Sequence, residues 1–289
     1  MKIALLGTRG IPNSYGGFEE FADFVSRIWV SSGHYVYVYC EKSNNQIELQ
    51  INGLNQVFIE TGKIPFFSQI LYDYRCTKHA LSMNMDIYYH AGYATSVLPN
   101  FFLSRKLKKR LVYNMDGLEW KRSKFNYITR LFILSLEKLT VKTCTNLVAD
   151  NKGIADYLQQ KYKVDSHVIE YGINPDNNSR SVEFDGFDEF DLVIARFEPE
   201  NHLEVIIRAY SQLKNSNLVL VANRETALYK KLEPVLNDSP NILFFGPCYD
   251  RSTLNGLRSA CRFYIHGHSV GGTNPSLVDA LSNGCQIFA

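Results

Sequence analysis

The chain of 289 residues has no run of roughly 18 uninterrupted apolar residues, the length a membrane-spanning helix needs, so no such span is expected. It has no pair of cysteines at CxxC spacing. The six lie at 40, 76, 144, 248, 261 and 285, a scatter that argues against a disulfide framework or zinc ribbon and for buried thiols in a reducing compartment. The GxGxxG dinucleotide fingerprint is missing too. The apolar run Ile3–Leu6 is too short for a signal peptide and reads as a first strand, which makes the cytoplasm the expected location. A strong overall charge is also absent. The formal net charge is +2 and no nucleic-acid-binding module is recognisable, so no nucleic acid is expected as a partner.

Charge is nevertheless unevenly placed. Residues 1–170 carry 21 Lys and Arg against 15 Asp and Glu, and residues 171–289 carry 10 against 14. The stretch 101–130 alone holds 9 basic and 2 acidic side chains. Such a density reads either as a solvated face or as a patch drawn to an anionic membrane surface or phosphate.

With 45% hydrophobic residues the chain is an ordinary globular one, long enough for two cores. Short runs rich in Val, Ile, Leu and Tyr alternate with stretches of helical period: strands at 2–6, 35–40, 57–59, 87–90, 111–114 and 146–149, and helices at 18–31, 67–83, 127–142 and 152–161. The second half repeats the pattern, with strands at 191–196, 218–222, 242–245, 262–265 and 286–288 and helices at 202–213, 227–236, 251–259 and 275–282. Strand–helix alternation implies parallel sheets covered on both faces. The fold class is therefore α/β, with two Rossmann-like doubly wound domains. They span residues 1–173 and 191–289, joined by a linker at 174–190 rich in Pro, Asn, Ser, Asp and Gly.

The first strand runs into GTRGIPNSYGGFEEF (Gly7–Phe21), a strand, a glycine-rich loop and a helix start, the arrangement that converges unpaired N–H groups on an anion. Gly16 and Gly17 at the helix entry favour close approach of a ligand. This segment and NMDGLEWKRSKF (Asn114–Phe125) resemble the N-terminal half of bacterial rhamnosyltransferase-like enzymes, members of the family 4 retaining glycosyltransferases of GT-B fold. IARFEPENHLEVIIRAY (Ile194–Tyr210) and HGHSVGGTNPSLVDAL (His266–Leu281) resemble the C-terminal half, and the four segments keep the family's order.

The resemblance implies a nucleoside-diphosphate sugar bound by Gly16, Gly17, Arg196, Asn201, His268, Gly272, Thr273, Asn274, Ser276 and Asp279. Arg196 takes the place of the arginine that contacts the diphosphate, where a guanidinium fork suits phosphate oxygens. Asn201 stands where many relatives have lysine. Asp279 stands where the family has the acid that binds ribose hydroxyls, and Gly271 replaces the acid that contacts the donor sugar, which leaves sugar recognition to backbone N–H groups, His268 or Asn274. Asp116 or Glu119 is the expected catalytic carboxylate, steadying an oxocarbenium-like transition state or taking the acceptor proton. Tyr15 and Trp120 offer flat faces to an acceptor sugar, with Trp120 equally suited to core packing, and Lys121 and Arg122 suit a pyrophosphate-bearing acceptor.

No DxD motif of metal-dependent sugar transferases is present, so metal-free catalysis without a cofactor is expected. His266-Gly267-His268 lacks an obvious third metal ligand. Gly267–Gly271 satisfies the GxSxG hydrolase elbow, but no His follows Ser269 to complete a triad in its usual order. The expected activity is retaining transfer of a hexose, L-rhamnose from dTDP-L-rhamnose, to a lipid-linked cell-surface polysaccharide precursor at the inner face of the plasma membrane. The alternatives are a sugar-nucleotide epimerase or a non-catalytic sugar-nucleotide-binding remnant. Residues 286–289 read as a buried strand with no covering helix after it, whereas the resemblance implies further helices; a truncated C-terminal domain with impaired transfer is the corresponding expectation.

Overall fold

A computed structural model describes residues 1–13, 16–42, 47–61, 65–103, 109–115, 117–122, 125–172, 179–184, 187–213, 215–224, 226–270 and 273–289. They fall into two compact units. One comprises Met1–Lys121, Phe125–Tyr171 and Gly271–Thr273, the other Arg122–Lys124, Gly172–Val270 and Asn274–Ala289.

In the first unit the apolar runs form β1 (Lys2–Leu6), β2 (Tyr35–Glu41), β3 (Leu54–Ile59), β4 (Ile87–Ala91), β5 (Leu111–Asn114), β6 (Asn146–Ala149) and β7 (His167–Val168). Between them lie α1 (Gly17–Ser31), α2 (Pro65–Ser82), α3 (Val97–Leu103), α4 (Tyr127–Thr143) and α5 (Lys152–Tyr162). The strands pair in parallel in the order β3-β2-β1-β4-β5-β6-β7, Ile3 lying opposite Val36 on one side and Ile87 on the other. Alternation along β1 sends Ala4 and Leu6 into one apolar cluster and Leu5 into another, so both faces are covered and the strand needs no polar side.

This core includes buried Tyr39, Tyr72, Tyr88, Tyr93 and Tyr113, whose hydroxyls need partners there. Tyr39 OH meets His79 Nδ1 at 2.9 Å, Tyr72 OH donates to Thr8 O at 3.3 Å, and Tyr88 OH accepts from Met85 N at 3.1 Å. Each of the three is pushed above the ordinary phenol range by burial.

The second unit holds β8 (Asp191–Ile194), α6 (Leu203–Tyr210), β9 (Leu218–Val221), α7 (Ala227–Asn237), β10 (Ile242–Phe244), α8 (Arg251–Ala260), β11 (Tyr264–Ile265), α9 (Pro275–Ser282) and β12 (Ile287–Phe288). Its parallel sheet runs β10-β9-β8-β11-β12. Val193, Leu218 and Leu220 enter one cluster, and Leu192, Val219 and Val221 the opposite one. Asp191 is buried at the start of β8, and its carboxylate accepts from Arg262 Nε and Nη2 at 3.0 and 2.8 Å and from Tyr210 OH at 2.6 Å. A bidentate guanidinium offsets the desolvation of that charge.

The α/β class and its two parallel sheets are as the alternation implied, with four local differences. Strand β8 stops at Ile194, and Arg196 lies in the loop beyond it, because the chain turns where Glu198 N bonds Arg196 O. Helix α3 contains Pro99, which reads as a breaker. As the third residue of the helix it lacks only an N–H that would have had no intrahelical partner. Strand β7 is two exposed residues long, too short for its Val168 to show a period. Of the six cysteines, all free, Cys40, Cys76 and Cys144 are buried as expected, while Cys248, Cys261 and Cys285 are half-buried. No helix among the described residues is long and apolar enough to cross a membrane.

Candidate functional site

In doubly wound sheets ligands bind outside the carboxyl ends of the strands, where the strand order reverses. In the first unit that point lies between β1 and β4. Gly7, directly after β1, has φ +82, and a Cβ there would sit 2.9 Å from Ala91 O at the end of β4. Gly10 has φ +119, and a Cβ there would sit 2.6 Å from the Cβ and Sγ of Cys40. These two glycines are demanded by the fold. Gly16 differs: its φ of −176 is extended backbone, and among the described residues its Cβ position meets only Glu19 Oε2 at 3.6 Å. Among the described residues, then, none crowds the backbone at the entry of α1.

The same loop is held by carboxylates in the first turn of α1. Glu19 Oε1 accepts from Arg9 N at 2.9 Å and Glu20 Oε2 from Asn13 Nδ2 at 2.6 Å, with Glu19 buried and its carboxyl raised by desolvation. Two acids at the helix start already complement its dipole, which weakens the site for a phosphate. Tyr15 lies outside the described residues.

Beyond β5, Asp116 also lies outside the described residues. Glu119, Trp120 and Lys121 form one 3-10 turn, Glu119 and Trp120 half-buried and Lys121 exposed. Trp120 packs on the core, its indole Nε1 donates to Glu137 Oε2 at 3.1 Å, and Lys161 Nζ lies 5.1 Å from its ring centroid. Glu137 on α4, buried, also accepts from Tyr157 OH and Tyr162 OH, each at 2.6 Å, and from Lys161 Nζ at 3.3 Å. Trp120 is thus accounted for without a ligand, and Glu137 is a residue that sequence reasoning passed over. Thr273, within the first unit, donates its N–H to Asp150 Oδ2 and its hydroxyl to Asp150 O, both at 3.0 Å.

In the second unit the strand order reverses between β8 and β11. The loop after β8 carries Arg196, exposed, and a 3-10 turn Pro199–Asn201; the loop after β11 carries His266, Gly267, His268 and Ser269. These loops are packed together. A Cβ on Gly267 would lie 2.4 Å from Asn201 O, so only glycine allows the approach. Ser269 N and Oγ donate to Glu200 O at 2.9 and 3.2 Å, and His202 Nε2 meets Ser269 Oγ at 2.9 Å. Asn201, buried, donates its Nδ2 to Arg196 O at 2.8 Å, and its Oδ1 lies 2.7 Å from His268 Nδ1. Burial is the main cause that holds both His266 and His268 below the ordinary imidazole range. Glu200 is buried, its Oε2 without a hydrogen-bond partner among the described residues, a second charged group that sequence reasoning missed.

Three further candidates sit on α9. Asn274 caps it, accepting from Ser276 N and Leu277 N at 2.9 and 3.3 Å, with Pro275 in the first turn. Ser276 Oγ meets Tyr264 OH at 2.7 Å. Asp279 pairs with Arg258 at 3.2 Å and Arg251 at 3.7 Å, and Arg258 is only 4% exposed. Its carboxylate thus neutralises a buried guanidinium. Gly272 lies outside the described residues, and Arg122 belongs to the second unit. Among the described residues no group of three or more His, Cys, Asp or Glu is placed to hold a metal ion.

The paired doubly wound sheets are those of the GT-B fold, and solved structures bear this out. Sucrose-phosphate synthase from Thermosynechococcus elongatus superposes with a TM-score of 0.83 at 15% identity, over 99% of this chain and 80% of that one. WaaG, a glycosyltransferase involved in lipopolysaccharide biosynthesis, gives 0.68 at 16% identity over 99% and 80%. An E. coli trehalose-6-phosphate structure bound with UDP-2-fluoro glucose gives 0.69 at 9% identity over 98% and 82%. At these identities the likeness is one of fold. The chain belongs to the DUF1972 family, a domain of unknown function, whose model matches residues 1–174. No curated protein sequence matches it.

Proposed function

We propose that this protein is a glycosyltransferase that moves a hexose from a nucleoside-diphosphate donor to a hydroxyl acceptor. The observation that carries the reading is exposed Arg196, whose carbonyl accepts from Asn201 of the Asn201–His268 pair and whose charge acts on His268, outside the carboxyl ends of β8 and β11. That is where a doubly wound sheet takes a nucleotide, and a fork of N–H donors there suits a diphosphate and the charge that develops on it as it leaves. The fold shared with WaaG and with a structure that holds UDP-2-fluoro glucose supports the same chemistry.

The finer reading is L-rhamnose from dTDP-L-rhamnose, transferred with retention to a lipid-linked polysaccharide precursor, and it rests on the four sequence segments of Gly7–Phe21, Asn114–Phe125, Ile194–Tyr210 and His266–Leu281. Asp116 or Glu119 is the carboxylate proposed to act on the acceptor proton. Asp279 retains an exposed fraction of 23% with which to meet ribose hydroxyls while paired to Arg258. Arg196 supplies the field that a divalent ion supplies elsewhere, so donor binding and transfer are expected to survive excess EDTA. The basic stretch is proposed to meet an anionic leaflet; Lys109 and Arg110 are exposed, and Arg105, Lys106 and Lys108 lie outside the described residues.

A thermal-shift panel of nucleotide sugars tests the donor, since a ligand of the native state raises the midpoint with its concentration. dTDP-L-rhamnose is expected to raise it most. Arg196→Ala is expected to weaken that binding roughly ten- to hundredfold, the loss of a charge-assisted hydrogen-bonding pair. Full affinity in a folded Arg196→Ala variant, measured by calorimetric titration, would remove the assignment.

A further inference from the structure

Asn201 replaces a positive side chain, and its geometry shows what it does instead. Its Nδ2 lies 2.8 Å from Arg196 O, a carbonyl that can only accept, so the amide nitrogen faces that carbonyl and Oδ1 faces the histidine. An amide oxygen can only accept as well. The 2.7 Å contact therefore requires His268 Nδ1 to carry the hydrogen. In the neutral ring Nε2 is then a bare acceptor, and no described residue bonds it. Phosphate oxygens repel such a lone pair; a hydroxyl satisfies it.

We propose that Asn201 is a positioning residue that holds His268 as its Nδ1–H tautomer, so that Nε2 accepts a hydrogen bond from a sugar hydroxyl of a bound nucleoside-diphosphate sugar. This rests on the donor reading above and assigns the sugar contact left vacant by Gly271. The arrangement is built rather than accidental: Asn201 is buried, and Gly267 brings its loop against the Asn201 carbonyl.

The ring's surroundings set its pH behaviour. Burial and the charges of His266, Arg122 and Arg196 disfavour protonation of His268, against the opposing pull of Glu200. The ring is therefore the neutral acceptor at pH 7 and loses that function only in more acid solution, when Nε2 gains a proton. The sugar-dependent part of donor affinity is expected to fall as pH drops below the ordinary imidazole range, while affinity for the nucleotide alone does not fall with it.

The experiment has two readouts on the full chain. The first is the ratio of dTDP-L-rhamnose to dTDP affinity by calorimetric titration at pH 8 and pH 5.5. His268→Phe is expected to reduce that ratio about tenfold at pH 8, one hydrogen bond to a neutral acceptor, with dTDP affinity within about twofold. Asn201→Leu is expected to reduce the ratio by as much while also weakening dTDP, because it frees the Arg196 carbonyl. Asn201→Asp, which can still accept from Nδ1–H, is expected to keep the ratio even where its charge weakens both ligands. The second is the tautomer itself, read from two-bond proton–nitrogen correlations in protein labelled with nitrogen-15 histidine, the His268 signals identified by their loss in His268→Gln. Wild type is expected to show Nδ1–H at pH 8, and this readout stands even if His268→Phe or Asn201→Leu does not fold, since it needs only wild type and a folded His268→Gln. An Nε2–H signal in wild type, or a ratio unchanged in folded His268→Phe, overturns the inference. A wild-type chain that binds neither dTDP-L-rhamnose nor dTDP removes the donor reading itself, and this inference with it.

Discussion

Replacing Glu137 by alanine is expected to lower the melting temperature of the first unit by on the order of 10 °C. The carboxylate is 1% exposed and accepts from Trp120 Nε1, Tyr157 OH, Tyr162 OH and Lys161 Nζ. Alanine leaves these donors facing one another across a gap. Trp120, Tyr157 and Tyr162 are half-buried, so each unmet donor costs about 1–3 kcal/mol at most, while Lys161 is exposed and its ammonium can turn to water. At roughly 2–4 °C per kcal/mol for a unit of this size, the midpoint falls accordingly. The damage is local in origin, because Glu137 joins α4, α5 and the turn that bears Glu119 and Lys121. The chain has two tryptophans, so in a Trp29→Phe background the emission of Trp120 reports that turn alone. A red shift at temperatures where the variant is still folded is expected. Unchanged emission together with an unchanged midpoint would show that the cluster does not hold the turn.

Much of the architecture is legible in the sequence because parallel strands covered on both faces are uninterrupted apolar runs, as Leu218–Val221 is, with all four residues buried. What is not legible follows from the same physics. Pro99 disguises α3, since a proline in a first turn looks in sequence like a proline that ends a helix. Gly7, Gly10 and Gly16 look alike in one glycine-rich loop, and only the positions of Ala91 and Cys40 separate the first two, required by close approach, from the third, which no described neighbour crowds. The candidate site divides in the same way. Arg196, Asn201 and His268 can be picked out as residues, but the amide that turns one histidine nitrogen into a donor is a relation across 67 positions. Burial of Glu137 and Glu200 is likewise set by packing, and one acid among 29 carries no mark of it.

Gly267→Ala is expected to disable the second unit's site while leaving most of its core intact. The added methyl would sit 2.4 Å from Asn201 O and 3.1 Å from Ile206 Cδ1. The first neighbour is backbone at the end of a buried turn and the second belongs to the apolar cluster, so neither can swing aside as a long surface side chain would. The loop after β11 must move instead. Overpacking of this kind costs about 1–3 kcal/mol, which for a unit of little over 100 residues is roughly 4–10 °C in midpoint. Movement of the loop stretches two contacts, His268 Nδ1 to Asn201 Oδ1 at 2.7 Å and Ser269 N to Glu200 O at 2.9 Å. Both position His268, so affinity for dTDP-L-rhamnose is expected to fall at least tenfold, about 1.4 kcal/mol, beyond what the lowered stability alone explains. Gly172→Ala is the control, because a Cβ there meets no described residue within 4 Å. Its midpoint and titration should match the unsubstituted chain. If Gly267→Ala matched it too, the close approach of the two loops would be incidental, and the site would have to be sought away from the strand-order reversal between β8 and β11.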